Sequence, residues 1–167
     1  ELAEVRNRRL ERLTEKQVRE QRVEKRAIGM RMLLSTKKDG RRKGRLIVQG
    51  FREPRYLDGG AIDAPVASLT TIRTLLFMHG MSEDIVSSID VSTAFLQAQE
   101  YDESDEPKYV YYQPHKHAPR EYYRLKGALY GLRSASLSWH KTIATWLTHK
   151  DQGFVQGKND PCIFAHA

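Results

Sequence analysis

The sequence predicts an α+β domain, and three observations carry that prediction. Short apolar segments with strand spacing occur together with segments in which apolar residues recur at helical spacing. A basic Asp-Gly turn joins two of the strand-like segments, which predicts a hairpin. Hydrophobic residues make up 40% of the 167 residues, enough for a buried core, and tight turns connect the strands and helices.

The length and the two ends indicate one domain or a piece of a larger protein. The chain opens on Glu1 instead of Met and stops at Ala167 directly after an apolar pair, so both ends look cut. No apolar run approaches the ~18 residues of a membrane span, and no secretory leader is recognisable. The single cysteine, Cys162, rules out an internal disulfide and fits a reducing compartment. We therefore expect an intracellular protein that is not secreted and has no membrane partner.

Basic residues are concentrated in the first third of the chain. The net charge is +7, and residues 1–55 hold 18 Lys and Arg residues against 8 Asp and Glu residues, a local net charge of +10. The remaining residues hold 10 and 13, a net charge of −3. A polycation beside a mildly acidic remainder predicts a nucleic-acid phosphate backbone as partner. For residues 1–26 alone, a solvated helix with mixed charges explains the composition equally well.

The first predicted elements are a helix and a hairpin. Residues 1–26 contain no Gly or Pro and many good helix formers, which predicts a basic helical leader up to residue 27. Two short apolar segments follow, at 30–35 and 45–49. An Asp-Gly pair lies between them, so we expect them to form a hairpin with basic residues on its tip and on both arms.

A second helix and a buried strand are predicted after a loop over residues 50–65. Ser68 can cap the helix, and Gly80 ends it. Residues 85–91 form an apolar run that predicts a buried strand, which then turns into a short helix through Gln97. The second helix is predicted to face a core with five apolar residues: Leu69, Ile72, Leu75, Leu76 and Met78.

The rest of the chain predicts three strands and one helix. An acidic surface loop over residues 100–106 precedes strands at 109–112 and 122–125. Aromatic and apolar residues at helical spacing predict a helix over residues 134–150. A final strand is predicted to start near Ile163. No internal repeat is visible.

Asp90, at the end of the predicted 85–91 strand, is the main candidate for chemistry. A carboxylate held rigidly at a strand tip, beside the free backbone N–H groups of a following helix, is typical of metal sites that handle phosphates. The alternative is a helix N-cap, which Ser92 and Thr93 also support and which the spacing alone favours. One carboxylate cannot hold two metal ions.

Six segments, in order along residues 28–167, together identify a family. They are RLIVQGF at 45–51, DAPVASLTTIR at 63–73, DVSTAFLQ at 90–97, VYYQP at 110–114, LKGALYGL at 125–132 and DPCIF at 160–164. They resemble the motifs KARLVAKGY, FAPVARLTSIR, DVKTAFLNG, VYMEQPPG, LNKALYGL and DPCLY of copia-type LTR retrotransposon reverse transcriptases, which are RNA-directed DNA polymerases. Each motif alone is weak, whereas the ordered set is specific.

The resemblance implies the fingers and part of the palm of a right-hand polymerase in residues 28–167. It implies that the intact parent, a polyprotein, synthesises DNA on an RNA or DNA template by two-metal nucleotidyl transfer, with Mg²⁺ and deoxynucleoside triphosphates. The partners would be a template-primer and the rest of the polyprotein, namely the missing palm, the thumb and ribonuclease H. The parent would act in a cytoplasmic particle or in the nucleus.

The resemblance also implies roles for individual residues. Asp90 would bind both Mg²⁺ ions as the catalytic carboxylate, and Val91 would supply a backbone ligand. In related polymerases an aromatic at the position of Phe95 lies under the sugar ring and excludes a ribose 2′-hydroxyl. The residues expected to contact the nucleotide are Lys43, Arg45, Ser92, Thr93, Ala94, Phe95, Tyr130 and Gly131.

Ordinary structural roles remain open for several of these residues. Phe95 also suits a core position, and Tyr130 a buried strand–helix junction. Lys43 and Arg45 also suit a solvated surface. A zinc site is a weaker candidate. Its possible ligands are His115, His117, Cys162 and His166. Their spacing fits no common zinc motif, and histidines in surface loops explain them better.

Two departures from the family pattern affect the prediction. Ser136 stands where the family has a proline, so the start of its helix is expected to be less rigid. The Tyr-x-Asp-Asp hairpin, which carries the second and third carboxylates, should follow shortly after Phe164, and the sequence ends first. We therefore expect no DNA synthesis by this chain alone. The alternatives are a non-catalytic basic fragment that binds nucleic acid and a decayed transposon relic.

Overall fold

The computed structural model describes residue 5 and residues 8–53, 63–82 and 84–166. Its central sheet has five strands, which are β1 (Leu10–Arg12), β2 (Ile28–Thr36), β3 (Arg42–Val48), β4 (Tyr109–Tyr112) and β5 (Glu121–Leu125). They lie in the order β1-β5-β4-β2-β3, and neighbours are antiparallel except β2 and β4, which are parallel. Together with the helices below, this sheet confirms the α+β prediction.

Strands β2 and β3 form the predicted hairpin. Their antiparallel register places Met30 opposite Val48. Gly40 in the turn has a φ of +80°, a left-handed conformation that glycine adopts without steric cost. Hydrogen bonds from the guanidinium and the backbone N–H of Arg41 hold the pKa of the Asp39 carboxyl below its ordinary value. The Asp-Gly signal therefore located a turn whose geometry its own side chains stabilise.

The leader is not the continuous helix that its composition predicted. Leu10–Arg12 is a strand instead, because it pairs with β5 and Leu10 packs into the core. A short helix, α1 (Glu15–Glu20), begins after Thr14, whose side chain caps it. A 3₁₀ turn, Val23–Lys25, leads into β2. The division of the chain at residue 27 remains a prediction.

The core lies between one face of the sheet and residues 126–135. Leu129 and Val110 are completely buried at its centre. An ion pair is buried at its margin, where the Lys108 Nζ lies 2.5 Å from a carboxylate oxygen of Glu53. The second carboxylate oxygen accepts a hydrogen bond from the Arg133 backbone N–H at 3.3 Å. These contacts fasten residues 126–135 to the sheet.

The helix predicted after residue 65 is present, and its predicted burial is wrong. Helix α2 (Leu69–Gly80) is capped by Ser68, whose hydroxyl accepts from the Thr71 N–H at 2.9 Å. None of its residues is buried, and the side chain of Leu69 is 68% exposed. The apolar face lacks a core because no described element packs closely on it. The predicted loop at 50–65 lies partly outside the described residues.

The predicted strand at 85–91 is also wrong. Residues 84–91 have no regular secondary structure, and Ile85 and Ile89 are 92% and 90% exposed. No described strand lies beside this segment to exchange backbone hydrogen bonds with it. Apolar side chains do not form a strand by themselves, since a strand needs a partner for its N–H and C=O groups.

The later elements follow their predictions within a few residues. They are α3 (Ala94–Gln97), β4, β5 and α4 (Ala135–Leu147). The predicted final strand proves to be one of two, β6 (Phe154–Gln156) and β7 (Phe164–His166), which pair with each other as an antiparallel hairpin. No helix among the described residues combines the length and the apolar character needed to cross a membrane.

Candidate functional site

An open cleft of about 600 Å³ lies between the β2–β3 hairpin and the segment that carries Asp90. Three separate parts of the chain form it: the hairpin, residues 90–95 and the segment that contains Tyr130. The cleft is lined by nine of the ten residues selected from the sequence, together with Lys37, which the sequence analysis missed. These are Lys37, Lys43, Arg45, Asp90, Val91, Ser92, Thr93, Ala94, Phe95 and Tyr130.

The hairpin supplies positive charge to the cleft. Lys43 and Arg45 are two residues apart on β3, so their side chains leave the same face of the strand. The Arg45 guanidinium also lies 5.9 Å from the centre of the Tyr130 ring. Lys37 reaches the cleft from the turn. Its proximity to Asp39-Gly40 could have suggested this role, because the turn brings both arms together.

Asp90 is an exposed carboxylate in the lining of the cleft. It has no hydrogen-bond or ion-pair partner among the described residues. The N-cap alternative does not hold, because the N-cap of α3 is Thr93, with a φ of 51° and no side-chain capping bond. The segment is held to α3 by Gln97, whose side-chain amide donates to the Ser92 carbonyl at 2.7 Å. Asp90 therefore offers its full coordinating capacity to a ligand.

Phe95 and Tyr130 form the apolar part of the cleft. Their rings meet edge to face, with centroids 5.3 Å apart and an interplanar angle of 62°. Both are half-buried and pack against the main core. The sequence left two roles open for Phe95, a core residue and a cleft residue, and its side chain fills both. A ligand here would meet a surface backed by the core.

Gly131 does not line the cleft. It belongs to the backbone segment that attaches Tyr130 to the end of β3. The Val48 N–H donates to the Tyr130 carbonyl at 2.8 Å, and the Gly50 N–H donates to the Gly131 carbonyl at 3.1 Å. Gly131 has a φ of +86°, and a Cβ there would lie 2.2 Å from the Val48 carbonyl oxygen. Only glycine allows this close approach of backbone to backbone.

A metal fits this site in part. Mg²⁺ is commonly held by one or two carboxylates together with substrate phosphates, and Asp90 in the cleft lining matches the protein share of such a set. No group of three or more His, Cys, Asp or Glu side chains that could hold a metal occurs in the described part of the chain. The zinc alternative at His115, His117, Cys162 and His166 is therefore not assembled there.

Comparison with known proteins gives a consistent result. The family described as "Reverse transcriptase (RNA-dependent DNA polymerase)" matches residues 16–167. The Retrovirus-related Pol polyprotein from transposon TNT 1-94 of Nicotiana tabacum is 31% identical over 147 residues, which cover 84% of this chain and 11% of that protein. The corresponding polyprotein from transposon RE2 of Arabidopsis thaliana is 32% identical over 145 residues, 82% of this chain and 10% of that protein.

More distant relatives agree with these matches. The Transposon Ty1-DR5 Gag-Pol polyprotein of Saccharomyces cerevisiae is 26% identical over 144 residues, 86% of this chain and 8% of that protein. The chain thus spans about a tenth of the length of the curated relatives it matches. No solved structure matches it significantly.

Proposed function

Because this chain belongs to the copia-type reverse transcriptase family, we propose that its cleft is the deoxynucleoside triphosphate and metal site of a template-directed DNA polymerase. In this proposal the β2–β3 hairpin belongs to the fingers, and the segment around Asp90 begins the palm. The parent polyprotein would supply the other domains, and an RNA or DNA template-primer would be the second substrate.

One observation supports the proposal above the others. Three segments that are far apart in sequence meet at one cleft, whose lining combines three cations with an exposed carboxylate that has no hydrogen-bond or ion-pair partner among the described residues. A triphosphate carries its charge on oxygens that Lys and Arg bind, and a hard divalent cation can join those oxygens to a carboxylate. The lining therefore contains the charge types that a nucleotide–metal complex requires.

The residues divide the work by chemical type. Lys37, Lys43 and Arg45 would hold the phosphates, and the Phe95 and Tyr130 rings would support the sugar and base. Asp90 would hold Mg²⁺, and the ion would supply charge stabilisation for the attack of a primer 3′-hydroxyl on the α-phosphate. The described residues supply one carboxylate at the cleft. The full reaction would then draw further carboxylates from the remainder of the polyprotein, and we expect no primer extension by this chain alone.

Nucleotide binding by the 167-residue chain tests the proposal. A fluorescent deoxynucleoside triphosphate is titrated with and without Mg²⁺. Asp90→Asn should weaken the Mg²⁺-dependent affinity by about tenfold, the loss of one charge-assisted contact. Glu103→Gln removes the same charge from the exposed acidic loop and should change nothing. Equal affinities for the chain and Asp90→Asn would contradict the metal role.

The basic hairpin favours a second candidate, a module that binds nucleic acid without chemistry. The local net charge of +10 in residues 1–55 supports it. A module of this kind should bind RNA with an affinity that falls steeply as the salt concentration rises. Asp90→Asn should leave that affinity unchanged. Lys43→Ala and the matched tip variant Lys38→Ala should then weaken RNA binding alike. In the polymerase proposal only Lys43→Ala also lowers nucleotide affinity, because Lys38 does not line the cleft.

A further inference from the structure

Arg9 is a buried cation whose bonds reach across the chain to the cleft segment. Its side chain is only 4% exposed. The Nε donates to the Leu96 carbonyl at 3.0 Å, and Nη2 donates to the carbonyls of Leu96 and Ala98. Burial lowers the pKa of the Arg9 guanidinium, with Glu100 and Tyr101 opposing that effect. An arginine nevertheless stays charged, so these are charge-assisted hydrogen bonds.

The two carbonyls lie at the end of α3, where a helix leaves carbonyl groups without internal partners. Helix α3 has only four residues, too few to be stable by its own hydrogen bonds. A basic side chain that bonds the last carbonyls is an effective cap for such a turn. The opposite end of the same turn leads directly back to Thr93 and Ala94 in the cleft lining.

Gly127 makes room for the guanidinium. A Cβ at this glycine would lie 2.2 Å from the Arg9 Nη1. The Lys126 N–H also donates to the Arg9 carbonyl at 3.0 Å, which fixes the arginine backbone to the same segment. The LNKALYGL motif quoted above has a lysine at the position of Gly127. In this chain the space beside that position is filled by a cation from the leader.

We propose that Arg9 is a positioning residue of the nucleotide cleft, which fastens the α3 turn to residues 126–127 and so holds Phe95 and the 92–94 backbone in place. This inference rests on the proposed function. Arg9 precedes residue 16, where the family match begins. The leader thereby becomes part of the site instead of a basic appendage.

The test compares Arg9→Met with Arg22→Met, which makes the same change at an exposed arginine of the leader. Two measurements are made on the 167-residue chain: amide hydrogen exchange by residue, and affinity for a fluorescent deoxynucleoside triphosphate with Mg²⁺. Arg9→Met should speed exchange at residues 96–99 and weaken nucleotide affinity about tenfold, through loss of charge-assisted hydrogen bonds. RNA binding should not change, because a buried Arg9 cannot reach a phosphate backbone. Arg22→Met should leave exchange and nucleotide affinity unchanged.

If the wild-type chain binds nucleotide and Arg9→Met binds it with the same affinity, the positioning role is overturned and the proposed function is not. A wild-type chain that binds no nucleotide overturns the proposed function, and the positioning role with it. Should Arg9→Met fail to fold, Arg9→Lys keeps the charge and volume and loses the two-pronged donor geometry. Its nucleotide affinity should fall by several-fold, and an affinity equal to wild type would overturn the role.

A double variant separates the Arg9 contact from general damage. Gly127→Ala alone should destabilise the chain and weaken nucleotide binding, because its Cβ collides with Nη1. In the Arg9→Ala background the same substitution should have almost no further effect on either quantity. Equal effects of Gly127→Ala in both backgrounds would contradict the contact.

Discussion

Two regions of this molecule contain similar apolar residues, which are buried in one region and exposed in the other. In the packed region, which comprises β1 to β5 and residues 126–135, Leu129 and Val110 are completely buried. In the exposed region, which comprises α2 and residues 84–91, Ile85 and Ile89 are about nine-tenths exposed. The packed region has strand partners and a covering segment, whereas no described element covers the other. An apolar pattern thus predicts which face of an element can be buried. Whether that face is buried depends on another element that packs against it.

The candidate site lies across the boundary between these regions. Arg45, Phe95 and Tyr130 are backed by the core or the sheet, so their relative positions follow from packing. Asp90 stands at the end of the exposed region and is attached to the packed region through α3. The Arg45 guanidinium and the two rings are therefore held by the fold, while the carboxylate depends on the anchoring of one short turn.

The largest expected difference between the regions is in the cost of removing a side chain. Leu129→Ala should lower the free energy of unfolding by about 3 kcal/mol, because it leaves a cavity in a closed core. Ile89→Ala should lower it by less than about 0.5 kcal/mol, because the side chain is already in solvent. Urea denaturation followed by circular dichroism measures both. A cost above about 1.5 kcal/mol for Ile89→Ala would remove the contrast.

An alkaline titration should act through Tyr101, whose side chain packs against the core of the packed region. Burial, and secondarily the Glu53 carboxylate, raises the pKa of Tyr101 to about 12. The unfolded chain releases the phenol proton near its ordinary pKa of about 10, so the folded form retains the proton over a range in which the unfolded form does not. The free energy of unfolding should therefore fall as the pH rises from about 10 to about 12, by about 2 kcal/mol in all.

Tyr101→Phe isolates that contribution from the other tyrosines. The variant has no proton to lose at this position, so its unfolding free energy should decline less than that of the wild type over the same pH interval. The two stabilities are compared by urea denaturation at each pH. Parallel curves for the two proteins would show that Tyr101 does not resist ionisation in the folded state.

The smallest expected difference concerns helix caps. Ser68→Ala removes the cap of α2 and should cost about 1 kcal/mol of local helix stability. Since α2 lies in the exposed region, amide exchange within α2 should accelerate without a shift in the denaturation midpoint of the sheet. Thr14→Ala removes the corresponding cap of α1, which packs on the sheet through Val18. It should shift that midpoint, and identical behaviour of the two variants would argue against separate regions.

Local signals predicted most of the elements. The Asp-Gly turn located the hairpin, Ser68 located the start of α2, and the aromatic run at 109–112 located β4 with its bounds. In each case the determining interactions join residues a few positions apart, so neighbours in sequence contain the information. Membership of the family could also be predicted from the sequence, because short motifs in a fixed order identify it.

The failures share the opposite property. The strand at 85–91 needs a partner strand, and the strand character of residues 10–12 comes from β5, more than a hundred positions away. The role of Arg9 depends on carbonyls 87 and 89 positions away. No composition or spacing within the leader could indicate that one of its many arginines is buried.

By itself the sequence determined the α+β class, the hairpin, the starts of α2 and α4, and which residues are candidates for the site. Only the tertiary structure decided which of these residues meet. It placed Lys37 in the cleft and Gly131 behind it, left the apolar face of α2 in solvent and buried Arg9 beside Gly127. The reason is physical: turns and caps are closed by near neighbours, whereas burial and a shared cleft are set by backbone hydrogen bonds and packing between distant segments.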